Sequence, residues 1–552
     1  MSVLEKRDAW LRCPAMPAEL LTQLRGMDEA TLHDCFYRDL TFGTGGLRGV
    51  LGAGTNRMNL FTVMKATRGL GAYLSANFTD PSCAVCYDSR IHSMDFAKLA
   101  AAVLAEMGIR VLIYPMLYPV PMLSFAVRHL SASAGVMITA SHNPARFNGY
   151  KVYGPDGCQI TLEAAALIQD SISRQPDLQD SIPSFDRYLS SGMISYIEKD
   201  TVEAYYSAVT KLRVSSPRQP LHVVYSPLNG AGNLPVREML RRLGNVTVDI
   251  VPEQEFPDGL FPTCPYPNPE IREAMRMAME KAVSVRADLC FATDPDCDRM
   301  GAGVRVGNEV TLISGNDMGI LMLDYLCRNR PSRGPLPPVV VKTVVTTEMA
   351  SALCRKYGLE LRNVLTGFKY IGEQIGLLEA AGQADRFLFG FEESYGYLSG
   401  THVRDKDAVN AVVLLCDMAA ELKSRGLTLL DRLSELRAEF GLYVQRLLTY
   451  EYEGESGSRR MDAIMKGLRS SLSSFEDERL RKAQRTDYLY DATGLPKSDV
   501  LSFRLSSSEQ FIVRPSGTEP KLKAYLFTRA DSQPEAKQNL DRLQSLVDGL
   551  CR

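Results

Sequence analysis

Gly135-Val136-Met137-Ile138-Thr139-Ala140-Ser141-His142-Asn143-Pro144 is the stretch whose reading decides the fold of this chain. An apolar run that passes into Ser, Asn and Pro reads as a buried strand ending in a loop. Open α/β sheets place their chemistry in the loops at the carboxyl ends of such strands. Ser141 therefore stands where a nucleophile or phosphoryl carrier is presented, or where a polar turn reverses the chain; the ten residues alone leave both readings open. Asn148-Gly149-Tyr150-Lys151 follows and brings one lysine close behind the loop.

Working outward, apolar runs at residues 83–87 and 111–114 alternate with helical patterns, the clearest at 96–104 with Ser93 as its expected cap. Alternation of this kind means parallel strands joined by helical crossovers. The uncharged stretch 111–127 is broken by Pro115, Pro119 and Pro121 and is shorter than the ~20 apolar residues of a membrane span, so a strand, a turn and a short helix are expected. The pattern restarts at residues 221–225, 246–250 and 289–292 after the turn-rich segment 215–220, and again at 339–341 after the Pro-rich segment 330–338. Beyond about 445 its character changes to strands near 511–513 and 524–527 with one terminal helix near 534–549, a smaller α+β unit. The expected fold is thus α/β, with three similar mixed α/β domains and a C-terminal α+β domain, divided at 1–217, 218–333, 334–444 and 445–552. Residues 1 to about 40 read as a helical, peripheral extension with Trp10, Leu20, Leu21 and Leu24 on a partly apolar face.

Bulk properties narrow the classes. A chain of 552 residues exceeds one core and implies several domains. With 63 Lys and Arg against 65 Asp and Glu, the net charge of −2 offers no bulk attraction to nucleic acid or an anionic membrane, so an anion must be held by a local cluster. The charged N-terminus lacks the apolar core of a signal peptide, and the expected location is cytoplasmic. Twelve scattered Cys in such a chain read as reduced thiols, and the isolated Cys83-Ala84-Val85-Cys86 as part of a strand.

Three further loops join the Ser141 loop in carrying chemistry. In Asp294-Pro295-Asp296-Cys297-Asp298-Arg299, three carboxylates at alternating positions converge on one point, and a hard divalent cation such as Mg²⁺ relieves their repulsion. Calcium sensing is disfavoured, since the sixth and twelfth positions are Arg299 and Arg305 where an EF-hand wants Gly and Glu. In Gly390-Phe391-Glu392-Glu393-Ser394-Tyr395-Gly396, adjacent acceptors and a hydroxyl suit a vicinal diol, with Lys369 and Lys406 nearby as cations or as solvated surface. Arg514-Pro515-Ser516-Gly517-Thr518 combines a guanidinium fork with hydroxyls and amides able to nest a phosphate, or forms a plain connection between strands. The glycine-rich Gly43–Gly49 segment fits neither the dinucleotide fingerprint nor the P-loop and projects Arg48.

Taken together and in chain order, the Ser141, Asp294–Arg299, Gly390–Gly396 and Arg514–Thr518 loops resemble those of the α-D-phosphohexomutase superfamily, the phosphoglucomutases and phosphomannomutases. The likeness runs from about residue 40 to the C-terminus and includes Tyr225-Ser226-Pro227-Leu228, Asp258-Gly259 and Pro267-Asn268-Pro269-Glu270. Overall length is similar to the longer branch with phosphopentomutase-like members. The resemblance implies four domains around a central cleft and a phosphosugar mutase acting through a phosphoserine and a bisphosphorylated sugar. It implies Ser141 as the phosphoserine, Mg²⁺ held by Ser141, Asp294, Asp296 and Asp298, Arg299 on the phosphoserine, and Lys151 in proton transfer, with His142 and Arg48 beside them. Glu392, Ser394, Lys369 and Lys406 would bind the sugar. Arg514, Ser516, Gly517 and Thr518 would hold the distal phosphate. Glucose 1,6-bisphosphate would be the activator, a small phosphosugar the substrate, and the molecule a monomer or weak dimer without nucleic-acid or membrane partners. Asn229, Cys297 and Ala408 depart from the usual pattern without removing a ligand. Glucose is the implied sugar, with mannose or pentose phosphates, a metal-dependent phosphatase and a non-catalytic sugar-phosphate binder as the competing readings.

Overall fold

Four sheets, each on its own stretch of chain, set the frame of the computed structural model, which describes residues 2–43, 45–329, 334–452, 454–515 and 521–551. The first holds β1 (Leu47–Val50), β2 (Ser82–Tyr87), β3 (Arg110–Ile113), β4 (Ala134–Ile138), β5 (Phe147–Tyr153) and β6 (Ile194–Tyr196), in the order β1-β5-β4-β2-β3-β6. The second holds β7 (Leu221–Ser226), β8 (Val246–Ile250), β9 (Leu289–Thr293), β10 (Met300–Val306) and β11 (Glu309–Ile313), ordered β11-β10-β9-β7-β8. The third holds β12 (Val339–Thr343), β13 (Glu360–Val364), β14 (Phe387–Glu392) and β15 (Gly396–Ser399), ordered β13-β12-β14-β15. The fourth, wholly antiparallel, holds β16 (Leu442–Glu451), β17 (Gln484–Asp487), β18 (Leu501–Arg504), β19 (Glu509–Pro515) and β20 (Lys521–Ala530), ordered β16-β20-β19-β18-β17.

The first three sheets share one four-strand unit: β3-β2-β4-β5, β8-β7-β9-β10 and β13-β12-β14-β15. In each, three strands run parallel and the fourth returns antiparallel to the third. Strands covered on both faces read as continuous apolar runs, which is why β4 and β9 are buried along their whole length. The return from third to fourth strand is the same topological position three times over. It is occupied by the Ser141 loop, the Asp294–Arg299 loop and the Glu393–Tyr395 loop.

Two expectations are corrected here. The N-terminal helices Val3–Leu11, Ala18–Gly26 and Glu29–Phe36 are not peripheral. Trp10 is 1% exposed and packs edge-on against Phe36 and Phe61, with ring centroids 5.3 and 5.2 Å apart, inside the first sheet's core. Apolar periodicity shows that a helix has a face to bury, not what will cover it. The helix Ser93–Glu106 is capped by His92 in a left-handed conformation (φ 63°), while the Ser93 hydroxyl donates to Asp88 Oδ1 at 2.7 Å. All twelve cysteines are free thiols; Cys83 and Cys86 lie inside β2, where burial pushes the Cys83 thiol up to about 12. Among the described residues no helix is long and apolar enough to cross a membrane.

One apolar core runs continuously from the first sheet through the second into the third, and Val345, Ile512 and Tyr525 join the third to the fourth. Buried polar contacts tie the first unit directly to the third: Tyr153 Oη donates to Asp405 Oδ2 at 2.9 Å, and Tyr205 Oη to Asp407 Oδ1 at 2.9 Å. The loops at the sheet ends are therefore held in a common frame around one cleft of about 1540 Å³, with walls drawn from all four units.

Candidate active site

Ser141 adopts φ +54°, the left-handed region, where a side chain costs on the order of 1–2 kcal/mol. The turn is held by Thr139, whose Oγ1 accepts the Ser141 amide at 2.8 Å and lies 2.6 Å from Asp88 Oδ2 and 3.1 Å from Asp296 Oδ2. That conformation turns the Ser141 hydroxyl toward the second unit, where it donates to Asp294 Oδ2 at 3.0 Å. His142 Nδ1 lies 3.1 Å from the same hydroxyl. Burial, and then the charges of Arg299 and Arg48, hold the His142 imidazole well below its ordinary range, so a neutral ring faces Ser141. Arg48 lines the cleft and donates to Asn143 Oδ1 at 3.4 Å.

The aspartate loop folds on itself: Asp294 Oδ1 accepts the amides of Asp298 and Arg299 at 3.1 and 3.0 Å. One carboxylate oxygen from each of Asp294, Asp296 and Asp298 falls within 4.8 Å of the others, and all three residues are buried. Burial first, and the neighbouring carboxylates second, push Asp294 well above the usual carboxylate range. Burial would raise Asp296 too, but Lys151, whose Nζ donates to Asp296 Oδ2 at 2.8 Å, holds it below that range. Lys406 Nζ lies 3.1 Å from Asp298 Oδ2 and 3.0 Å from Asp405 Oδ1. Asp296 Oδ1 and Asp298 Oδ1 remain buried without a hydrogen-bond partner. Two orphaned carboxylate oxygens beside a third acid form an all-oxygen donor set that fits a hard divalent cation.

Arg299, expected on the phosphoserine, is held by the carboxylate that ends Pro267-Asn268-Pro269-Glu270: its Nη1 donates to Glu270 Oε1 at 2.6 Å. The strand leaving the aspartate loop pairs directly with the Glu393–Tyr395 hairpin, since the Met300 amide donates to Tyr395 O at 3.1 Å and Arg299 bridges Gly396. Glu392 Oε1 accepts the Gly367 amide at 2.9 Å, and burial raises its carboxyl. Glu393 is pushed to about 7 by burial and then by Glu392, and its Oε2 accepts the hydroxyls of Thr346 and Thr343 at 3.1 and 3.3 Å. Ser394 and Lys406 stand in the cleft wall. Lys369 does not line the cleft; its ammonium lies over the Tyr370 ring, 5.0 Å from the centroid.

Across the cleft, Arg514 on β19 stands directly opposite Lys523 on β20. Facing cations on one side of a sheet repel one another until an anion sits between them. Burial, and then Arg514, depress the Lys523 ammonium accordingly. Lys523 was not singled out from the sequence; its signal was the polar alternation Lys521-Leu522-Lys523-Ala524 soon after Arg514. Ser516, Gly517 and Thr518 lie outside the described residues. Asp88 and Arg90 were likewise passed over, although two charged residues directly after the apolar β2 were visible.

Known proteins resemble this chain over most of its length. Residues 39–178, 203–307 and 314–440 match, in order, the alpha/beta/alpha domains I, II and III described as phosphoglucomutase/phosphomannomutase. A phosphoglucomutase of Staphylococcus haemolyticus (strain JCSC1435) is 35% identical over 517 residues, covering 92% of this chain and 93% of its own. The open form of parafusin, a phosphoglucomutase from Paramecium, superposes with a TM-score of 0.70 at 16% identity, covering 93% of this chain and 95% of its own. The Aspergillus fumigatus N-acetylphosphoglucosamine mutase in complex with GlcNAc-6P and magnesium does so with a TM-score of 0.52 at 17% identity, covering 94% and 97%. At those identities the two structures speak for the fold alone.

Proposed function

The chain belongs to the phosphoglucomutase/phosphomannomutase family and is a mutase, and on that footing we propose that it interconverts the 1- and 6-phosphates of a hexose, glucose first among them. Ser141 would carry the phosphoryl group and give it to the free hydroxyl of the incoming monophosphate. The resulting bisphosphate turns over in the cleft and returns its other phosphate to Ser141. The contact that supports this reading most is the 3.0 Å hydrogen bond from Ser141 Oγ to Asp294, which sets a hydroxyl beside three convergent carboxylates.

Asp294, Asp296 and Asp298, with an oxygen of the phosphorylated Ser141, would hold Mg²⁺, which when bound neutralises charge on the transferring phosphoryl group. Lys151, an ammonium on Asp296, would give a proton to the leaving oxygen and be reprotonated by the attacking hydroxyl. Arg299, kept in place by Glu270, would balance phosphoryl charge. Glu392 and Ser394 would read the sugar hydroxyls from either orientation of the ring, because paired acceptors tolerate a flipped diol. Arg514 and Lys523 would hold whichever phosphate is not reacting, with Ser516, Gly517 and Thr518 beside them.

The test is a coupled assay over glucose, mannose, ribose and N-acetylglucosamine 1-phosphates with glucose 1,6-bisphosphate as activator, on the wild type and Ser141→Ala. Expected are conversion of glucose 1-phosphate to glucose 6-phosphate, its loss in Ser141→Ala, and about +80 Da on the Ser141 peptide. Steady release of inorganic phosphate without isomerisation would instead select a phosphatase, and wild-type turnover by Ser141→Ala would end the proposal.

A further inference from the structure

We infer that Arg90 is the positioning residue that holds Ser141 in its reactive turn. The inference rests on the mutase reading of Ser141. Arg90 is 3% exposed, and its guanidinium is the centre onto which the whole seryl loop folds. Nη1 donates to the carbonyls of Pro144 and Phe147, each at 3.0 Å, and Nη2 donates to the carbonyls of Ser141 and Asn143. Nε lies 3.4 Å from Asp88 Oδ2, the same oxygen that the Thr139 hydroxyl approaches to 2.6 Å. The second unit closes the remaining face: the Phe261 ring centroid lies 5.1 Å from the guanidinium carbon, and a Cβ on Gly259 would come within 2.4 Å of the Ile91 amide.

Buried backbone carbonyls need partners, and a left-handed residue at the start of a loop turns several of them the same way. Pro144 O also accepts the Phe147 amide at 3.0 Å, but one planar fork serves all four carbonyls, and its geometry fixes the direction in which Ser141 Oγ points toward Asp294. A lysine cannot substitute, because a single ammonium has three tetrahedral donors where the site presents four carbonyl acceptors to a planar fork. Arg90 has no place among the cleft-lining residues, so it acts through Ser141 and not on the substrate.

Misplacement of a reacting group by about 1 Å costs on the order of 100-fold in rate. Arg90→Lys should therefore lower kcat for glucose 1-phosphate about 100-fold while KM stays within about twofold, since the sugar and distal-phosphate contacts are untouched. Amide exchange should accelerate over residues 140–147 and not along β2 or β12. Phe261→Leu, which keeps the fork but loosens its cover, should lower kcat by less, with the same unchanged KM, and it carries the test if Arg90→Lys does not fold. Wild-type kcat in the folded variants would overturn the inference. So would a parallel rise in KM with faster exchange throughout the first sheet, which marks a general loss of stability. Ser141→Ala, run alongside, separates the two readings: turnover without Ser141 refutes the mutase proposal, whereas the exchange pattern of Arg90→Lys still judges the positioning role.

Discussion

Glu393 offers the sharpest physical test of the site. It sits beside Glu392 at the end of β14, where burial and then that neighbour push its carboxyl from an ordinary 4.5 to about 7. Its partners are neutral hydroxyls, Thr343 and Thr346, which ease the charge without cancelling it. A carboxyl that holds its proton more tightly folded than unfolded gives stability that is fully present below about 4.5 and lost as pH rises through about 7. At about 1.4 kcal/mol for each tenfold change in proton affinity, the loss between pH 5 and pH 8 is about 2 to 3 kcal/mol. Glu393→Gln removes the titration and keeps the hydrogen-bonding shape. Urea unfolding of both proteins at pH 5, 6, 7 and 8 should give curves whose difference grows in favour of the variant by that amount, with other titrating groups cancelling. A difference that stays constant with pH, or that shrinks, would refute the reasoning.

Asp296→Asn should weaken Mg²⁺ binding, followed calorimetrically in the absence of sugar, by more than about 10-fold, the lower end of what even an outer partner of a metal ligand is worth. Lys523→Ala should raise KM for glucose 1-phosphate by about 10- to 100-fold with a smaller effect on kcat, as expected for one charge-assisted hydrogen bond to phosphate of about 1.5–3 kcal/mol; an unchanged KM would remove Lys523 from the clamp. Trp10→Ala should cost about 3–5 kcal/mol in urea unfolding because the side chain is enclosed by Phe36 and Phe61; near-wild-type stability would return the N-terminal helices to the periphery.

The loops that face the cleft were legible because each is local. Asp294, Asp296 and Asp298 announce themselves by alternation within five residues after a buried strand, and Ser141 by the polar turn at the end of another. The residues that hold those loops in place were not legible. Glu270 reaches Arg299 from 29 positions upstream, Arg90 gathers carbonyls 51 to 57 positions downstream, and Thr139 meets an oxygen 157 positions away. Nothing in a run of amino acids states which distant backbone oxygen will need a donor.

By itself, the order of amino acids determined the strand-and-loop units, the chemical type of each loop and the family resemblance, because hydrophobic period and turn chemistry act over a few residues. Only the tertiary structure decided that the Ser141, aspartate and Glu393–Tyr395 loops occupy one repeated hairpin position and meet at a single cleft. It alone decided that Lys151 and Lys406 lie on the aspartates, that Lys369 turns toward Tyr370, and that Arg514 faces Lys523. Those pairings depend on which buried charges and carbonyls are left unsatisfied once the sheets have packed, and that balance exists only in the folded chain.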